Sequence, residues 1–453
     1  MNLKISTIKN LLKHVFFFFL SLTVCLLGFS SQENLMRKHI PQKTILSNGL
    51  TLIYEVDKSF PTTFLQILIK GGIKDVPEGK EGLAYLTTRL AVDIPDRDKI
   101  QEMMKQATRI SVRCKGDYSL INLKCLTENL QESLKVMTTI IQKPIFSGIR
   151  INRIKDYMIH FGKSEEDDPV TAGKKSNFKS FFGPSTYGGS VYGTQESLKA
   201  TNKKDIEGFY LNHFAANNMI ISVSSDLDDK LLIEMIQECF GKFPQTQLEE
   251  SRPTEPSLPE DKNLYFEKDA KQSFVSIAFP LPRLTARNFA LAVMVENLLG
   301  KGVGSKLWSL RSTERLAYNV NSQAIYMKGG GILQAYLETK NENKNRALES
   351  LRQVLQLLYE KGISEEEHQA TQVSSKANFL RLNETKEARI SSFSIFEALG
   401  LGHEFFFRFF TEVNSISLEE INIFLKEILN PEKGVEVIIG PKMEEKAPLP
   451  SSL

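Results

Sequence analysis

Apolar and polar residues alternate at Leu50, Leu52, Tyr54 and Val56, directly after an Asn48-Gly49 turn. That period of two predicts an opening strand. A second strand-like run, Ser119 to Cys125, gives way to apolar residues at three- and four-residue steps: Leu130, Leu134, Met137 and Ile141, with Pro144 as the stop. The change of period predicts a strand followed by an amphipathic helix. The same succession returns later. Gly331 to Leu337 reads as a strand, and Leu348, Leu351, Leu355 and Leu358 as one face of a helix that Gly362 ends. Each half then carries a further helical segment and a late strand, Met219 to Val223 in the first and Val435 to Ile439 in the second. Interspersed strands and helices predict an α+β fold of two similar halves, each a mixed sheet covered by helices, and a duplication is the simplest origin.

Between the halves, residues 244–262 hold four prolines among polar residues, a stiff exposed linker. The expected organisation is a leader at 1–31, a first unit at 41–243, the linker, a second unit at 263–441 and a tail at 442–453. Two acidic clusters have a structural explanation. Ser364 followed by Glu367, and Ser417 followed by Glu420, each predict a helix start capped by the serine, with the glutamate reaching back.

Composition adds little to this picture: 453 residues, 41% hydrophobic, 25% charged and a net charge of +3 describe an ordinary globular protein without a nucleic-acid or anionic-membrane surface. The first 31 residues differ. Lys4, Lys9 and Lys13 precede an apolar run from Val15 to Phe29, shorter than the roughly 20 residues of a spanning helix, and small residues follow. This predicts an export signal cleaved near Ser30 and a periplasmic or envelope-associated protein; a lipid anchor at Cys25 is the weaker alternative. Cleavage leaves Cys114, Cys125 and Cys239, an odd number without the short spacing of a metal knuckle.

Candidate chemistry is sparse. The six histidines stand at 14, 39, 160, 213, 368 and 403, none three or four residues from another, and the apparent His-Glu-x-x-His at His403-Glu404 ends in Phe407. No Gly-x-Ser-x-Gly elbow occurs, and Lys301 to Lys306 lacks the glycine spacing of a phosphate loop. Arg311 and Tyr318 remain. The pattern puts Arg311 near the end of a helix and Tyr318 at the start of a strand. A guanidinium can grip a carboxylate or carbonyl, and a phenol can donate to a developing oxyanion.

Several motifs in order resemble the insulinase/pitrilysin family, especially its bacterial half-size members related to mitochondrial processing peptidase. They are Leu46 to Leu52, Ile69-Lys70-Gly71-Gly72, Glu81-Gly82-Leu83-Ala84, Val191 to Leu198, Phe209 to Phe214, and Gly304 to Arg311 with Leu316-Ala317-Tyr318. The resemblance spans about residues 41–441 and implies peptidase-like halves clamped around a central cavity. Catalytic members carry His-x-x-Glu-His after the Gly-x-Ala segment. Here Tyr85, Thr88 and Arg89 hold those positions, and the third ligand would fall near His160. An arginine there also repels a dication. The resemblance implies no zinc on this chain.

The family's Arg-x6-Tyr pair survives as Arg311 and Tyr318, with Arg315 in place of the usual glycine between them. The resemblance thereby implies a non-catalytic, peptide-binding subunit of an exported zinc-peptidase heterodimer, whose expected partner is a homologous chain that holds the zinc. Arg311 and Tyr318 would contact peptide in the shared site. The alternatives are a stand-alone binding or scaffold protein, and a peptidase with a rearranged metal site.

Overall fold

A computed structural model describes residues 40–183, 187–247 and 254–442. The leader with Cys25, the middle of the linker and all but the first residue of the tail lie outside the described residues.

The first half runs β1 (Gln42–Ile45), β2 (Thr51–Val56), β3 (Thr62–Ile69), α1 (Leu83–Ala91), α2 (Arg97–Lys105), β4 (Arg109–Cys114), β5 (Ser119–Leu126), α3 (Leu130–Gln142), α4 (Gly148–Asp167), α5 (Pro169–Phe182), α6 (Gln195–Ala200), α7 (Lys203–His213), β6 (Met219–Ser225) and α8 (Asp229–Phe240). The second runs β7 (Asn263–Glu267), β8 (Gln272–Leu281), α9 (Ala286–Gly300), α10 (Trp308–Ser312), β9 (Asn319–Met327), β10 (Gly330–Lys340), α11 (Lys344–Lys361), α12 (Glu365–Leu382), α13 (Lys386–Ala398), α14 (Phe405–Ser415), α15 (Leu418–Ile428) and β11 (Val435–Gly440).

Strand order is β1-β2-β6-β3-β5-β4 in one sheet and β7-β11-β8-β10-β9 in the other. The two orders coincide once β1 is set aside, and so do the directions. β2 runs parallel to β6 as β7 does to β11, and the remaining neighbours are antiparallel. Both sheets are mixed and covered by helices, as the alternating pattern of strands and helices predicts.

All of β6 is buried, because both faces of the first sheet are covered. Leu52, Leu65, Ile67 and Val223 pack with residues of α3 and α8 on one face. On the other, Ile53, Leu68, Leu120 and Ile220 join the core of the second half. The helix over that face is α13, from the opposite half. Its counterpart α5 lies in turn on the second sheet, where Phe181 and Phe182 pack with Ala278, Ile332 and Val435. The halves thus exchange equivalent helices, which no local pattern in the sequence signals.

Two smaller contacts join the halves. Asp117, in the β4–β5 turn, accepts from the Lys328 backbone N–H in the β9–β10 turn (2.9 Å) and from the Tyr187 hydroxyl (2.6 Å). Lys43 of β1 pairs with Glu397 of α13. The capping predictions fare unequally. Ser364 and Glu367 form the reciprocal box. Ser417 accepts from the Glu420 N–H, but the Glu420 carboxylate turns to Arg287 instead (2.6 Å). Cys114, Cys125 and Cys239 are free thiols. Cys114 stands opposite Ser119, at the far end of the ladder from Cys125. No described helix is long and apolar enough to cross a membrane.

Candidate functional site

Gly82 introduces α1 with a φ of +91°, and a Cβ there would lie 2.9 Å from the Gly193 backbone, so the position requires glycine. The helix it starts is nearly all buried. Leu83, Ala84, Tyr85, Leu86 and Leu90 pack with Ile154 and Met158 of α4 and Ile206 and Phe209 of α7. This fixes the three positions where the family's metal motif would stand.

Tyr85 is buried, its ring edge-on to Tyr192 at 4.8 Å. Phe161 lies 4.7 Å from Tyr192 and stacks on Tyr157, so α4 completes an aromatic wall. Burial, and then the neighbouring Tyr157, push the Tyr85 phenol up to about 12. It is a neutral hydroxyl at ordinary pH and not a phenolate ligand. The Thr88 hydroxyl donates to the Ala84 carbonyl (2.7 Å). Cys114 lies 3.9 Å from that hydroxyl, and burial raises its thiol to about 11, which leaves it unreactive. Arg89, with its side chain 38% exposed, reaches Asp93 one turn on at 3.5 Å.

These donors do not fit zinc. A neutral phenol, a hydroxyl committed to its own helix and a guanidinium offer no anionic or imidazole ligand. Among the described residues no group of three or more His, Cys, Asp or Glu side chains is placed to hold a metal ion. His160 is exposed on α4. Tyr157, one turn earlier on α4, lines a cleft together with Tyr85.

The second candidate segment has a different character. Leu307, Leu310 and Leu316 are buried and anchor α10. Arg311 is exposed at its end, its guanidinium 5.0 Å over the Trp308 ring. The chain then turns through Arg315 at φ +54°. That left-handed backbone is the one a glycine adopts without strain, so arginine bears the strain here. The Leu316 N–H bonds back to the Leu310 carbonyl (2.9 Å), and the Tyr318 N–H donates to the Glu338 carbonyl of β10 (3.0 Å). Tyr318 is 54% exposed, just ahead of β9. Among the described residues, no hydrogen bond, ion pair or ring contact joins Arg311 to Tyr318 or either to Tyr85, Thr88 or Arg89.

One further element belongs to the site. β4 ends its sheet, so one of its edges has no strand neighbour among the described residues. A cleft of about 440 Å³ runs beside it, lined by Tyr85, Arg89 and Tyr157 and by Arg109, Ile110, Ser111 and Val112 of β4. Side chains alternate across a strand, so four consecutive lining residues mean that the edge of β4, not one face, forms the wall. The sequence pattern does not single out Tyr157, Tyr192, Arg109 or Asp93, because only the fold brings them together.

Residues 200–373 match the family described as Peptidase M16 inactive domain. A relative in Helicobacter pylori named "Non-peptidase homolog YmxG" is 22% identical over 87% of this chain and 93% of its own. One in Bacillus subtilis named "Uncharacterized zinc protease YmxG" is 19% identical over 86% of this chain and 96% of its own. The crystal structure of a peptidase M16 inactive domain from Pseudomonas fluorescens superposes with a TM-score of 0.81 at 18% identity, over 90% of this chain and 99% of that one. With its repeated sheet order and its altered metal helix, the chain resembles the peptidase M16 (insulinase/pitrilysin) family in fold and sequence, and residues 200–373 match that family's inactive domain.

Proposed function

We propose that this chain is the peptide-binding, non-catalytic subunit of an exported zinc-peptidase heterodimer. In this reading a homologous partner carries the zinc, and Arg311 and Tyr318 reach into a cavity shared with it. The observation that carries the reading is the contrast at the two segments. The helix that would hold metal is furnished with Tyr85, Thr88 and Arg89, while Arg311 and Tyr318 stand exposed with no carboxylate or side-chain hydrogen bond on either among the described residues. An exposed cation and phenol are free to meet a peptide backbone and a developing oxyanion. The open edge of β4 supports binding of an extended chain by strand addition.

The test is to purify this chain together with a homologue that bears His-x-x-Glu-His and to assay peptide cleavage. Arg311→Ala and Tyr318→Phe are each expected to lower turnover about a hundredfold or more, the range for loss of one transition-state donor, with the complex intact. Unchanged turnover in both variants would defeat the shared-site reading. Export rests on the leader pattern at 1–31, and an intact Met1 in protein recovered from cells would remove it. A stand-alone peptide-binding role is the second reading, favoured by the fact that the β4 cleft is formed by this chain alone.

A further inference from the structure

We infer that the β4 cleft selects a peptide that presents a carboxylate to Arg89, so that an anion site stands on the helix where catalytic relatives hold a cation. The inference deepens the peptide-binding reading and rests on it only for the statement that the ligand is an extended chain.

Asp93 is outnumbered by the cations around it. Its carboxylate accepts from Arg150 Nε at 2.7 Å and lies 2.5 Å from Arg153 Nη2. Arg89 approaches the other oxygen only to 3.5 Å. Arg150 also donates to the Asp93 backbone carbonyl, and its Nη1 is buried with no acceptor. Three guanidinium groups therefore share one carboxylate, so positive charge exceeds negative around it. Asp96, the next carboxylate along the chain, is already committed: it caps α2 by accepting from the Asp98 and Lys99 N–H groups.

The surplus charge faces the cleft. Arg89 and Arg109 both line it, and Asp93 is the only carboxylate among its lining residues. Val92, Ile100, Met103 and Met104 supply apolar lining, where a charge pair is screened less than in open water. The hydroxyls of Tyr85 and Tyr157 stand at the same wall, and burial keeps the Tyr85 phenol neutral, a donor. A guanidinium fork beside phenolic donors and an open strand edge suits a carboxylate borne on an extended backbone. Two sources share this chemistry: an acidic side chain and a free carboxyl terminus.

The experiment measures binding of fluorescently labelled short extended peptides to the full chain by anisotropy. One peptide carries a central Glu, its twin carries Gln, and each is made with a free and an amidated carboxyl terminus. The expected result is tighter binding, about tenfold, for peptides with a carboxylate, the size of one charge-assisted pair. Arg89→Gln is expected to abolish that preference by weakening the peptides with a carboxylate about tenfold, and added salt is expected to weaken chiefly those peptides. Arg109→Gln serves as a second variant on an exposed residue. The side-chain source predicts a preference that tracks Glu, and the terminal source one that tracks the free carboxyl group. Equal affinity for charged and neutral peptides, or an equal effect of Arg89→Gln on both, would overturn the inference and leave the subunit reading standing. Absence of binding by every peptide would overturn both.

Discussion

Helix α5 lies on the second sheet through mainly neutral groups, with the cation of Lys174 over the Tyr336 ring (4.4 Å), whereas its counterpart α13 lies on the first sheet through a buried ion network. On α5 the fully buried Asn177 donates to Gln334 Oε1 (2.8 Å) and Ser276 Oγ (3.1 Å), and Gly173, one turn earlier, lets the helix sit directly on the Phe274 ring. On α13 Lys386 donates to the carbonyls of Asp57, Phe60 and Thr62 at 2.6, 2.9 and 3.2 Å. Arg389 binds Glu55 (2.8 Å) and Asp57 (2.6 Å), and Ser394 bonds Gln66. Equivalent helices thus fill equivalent sites with different chemistry. A neutral contact can weaken by degrees. A buried charge network is tolerable only while every member is paired, because the alternative is an isolated ion in a poor dielectric.

The largest expected effect comes from that asymmetry. Arg389→Ala leaves Glu55, whose side chain is fully buried, without its counter-ion, and should reduce stability by about 3–5 kcal/mol. Urea unfolding of the variant measures it. The matching change on the other side, Asn177→Ala, leaves Ser276 and Gln334 short of a partner and should reduce stability by about 1–3 kcal/mol. Equal losses would break the comparison, since they would mean that the ion network is no more demanding than two neutral hydrogen bonds.

A smaller test addresses the packing of the neutral side. Gly173→Ala gains about 1 kcal/mol in helix propensity. The added Cβ, however, would stand 2.2 Å from the ring of Phe274, which is wholly buried. Overpacking of this kind removes about 1–3 kcal/mol. The net expectation is a loss of about 1 kcal/mol, read as a lower thermal midpoint. A gain would mean that α5 can lift off the sheet and that the neutral crossing is loose.

Much of each half was legible in the sequence. The strand–helix succession from Ser119 and from Gly331 appears where the changes of period place it. The capping serines 364 and 417 stand at helix starts. Those features are local, set by alternation, turns and caps. The exchange of α5 and α13 is not local. Both read only as further helical segments, and nothing in their spacing states which sheet they cover. The site divides the same way. The altered motif at Tyr85, Thr88 and Arg89 and the pair at Arg311 and Tyr318 are visible in order along the chain, and the replaced glycine at Arg315 marks a backbone that the structure shows left-handed. The clustering of Arg150 and Arg153 on Asp93, and the aromatic wall from Tyr192 and α4, depend on α4 packing beside α1 and were silent in the sequence.

The smallest expected effect separates the two crossings by acidity alone. Glu397 accepts from the His403 backbone N–H (3.0 Å) and lies 3.3 Å from its ring nitrogen, besides pairing with Lys43 across the halves. The His403 hydrogen bond outweighs burial and, with Lys43, pulls the carboxyl from 4.5 down to about 2. Asp57 is also lowered: burial opposes the shift, but the Ser59 hydrogen bonds and the charges of Lys386 and Arg389 prevail. A carboxyl whose folded value lies below its unfolded one contributes stability that is complete above the unfolded value and disappears as pH falls through the folded one. The charged crossing should therefore weaken between about pH 4.5 and about pH 2. Asp117 opposes this trend, since burial raises its carboxyl and acid neutralises it first. Glu397→Gln should lower stability at neutral pH and shrink the loss on acidification, whereas Asn177→Ala should track the parent protein's pH profile at a constant offset, because neither Asn177 nor its partners titrate. Urea midpoints collected across this pH range distinguish the cases. A Glu397→Gln profile parallel to the parent would show that the Lys43–Glu397–His403 cluster holds no ionised carboxylate at the junction of the halves.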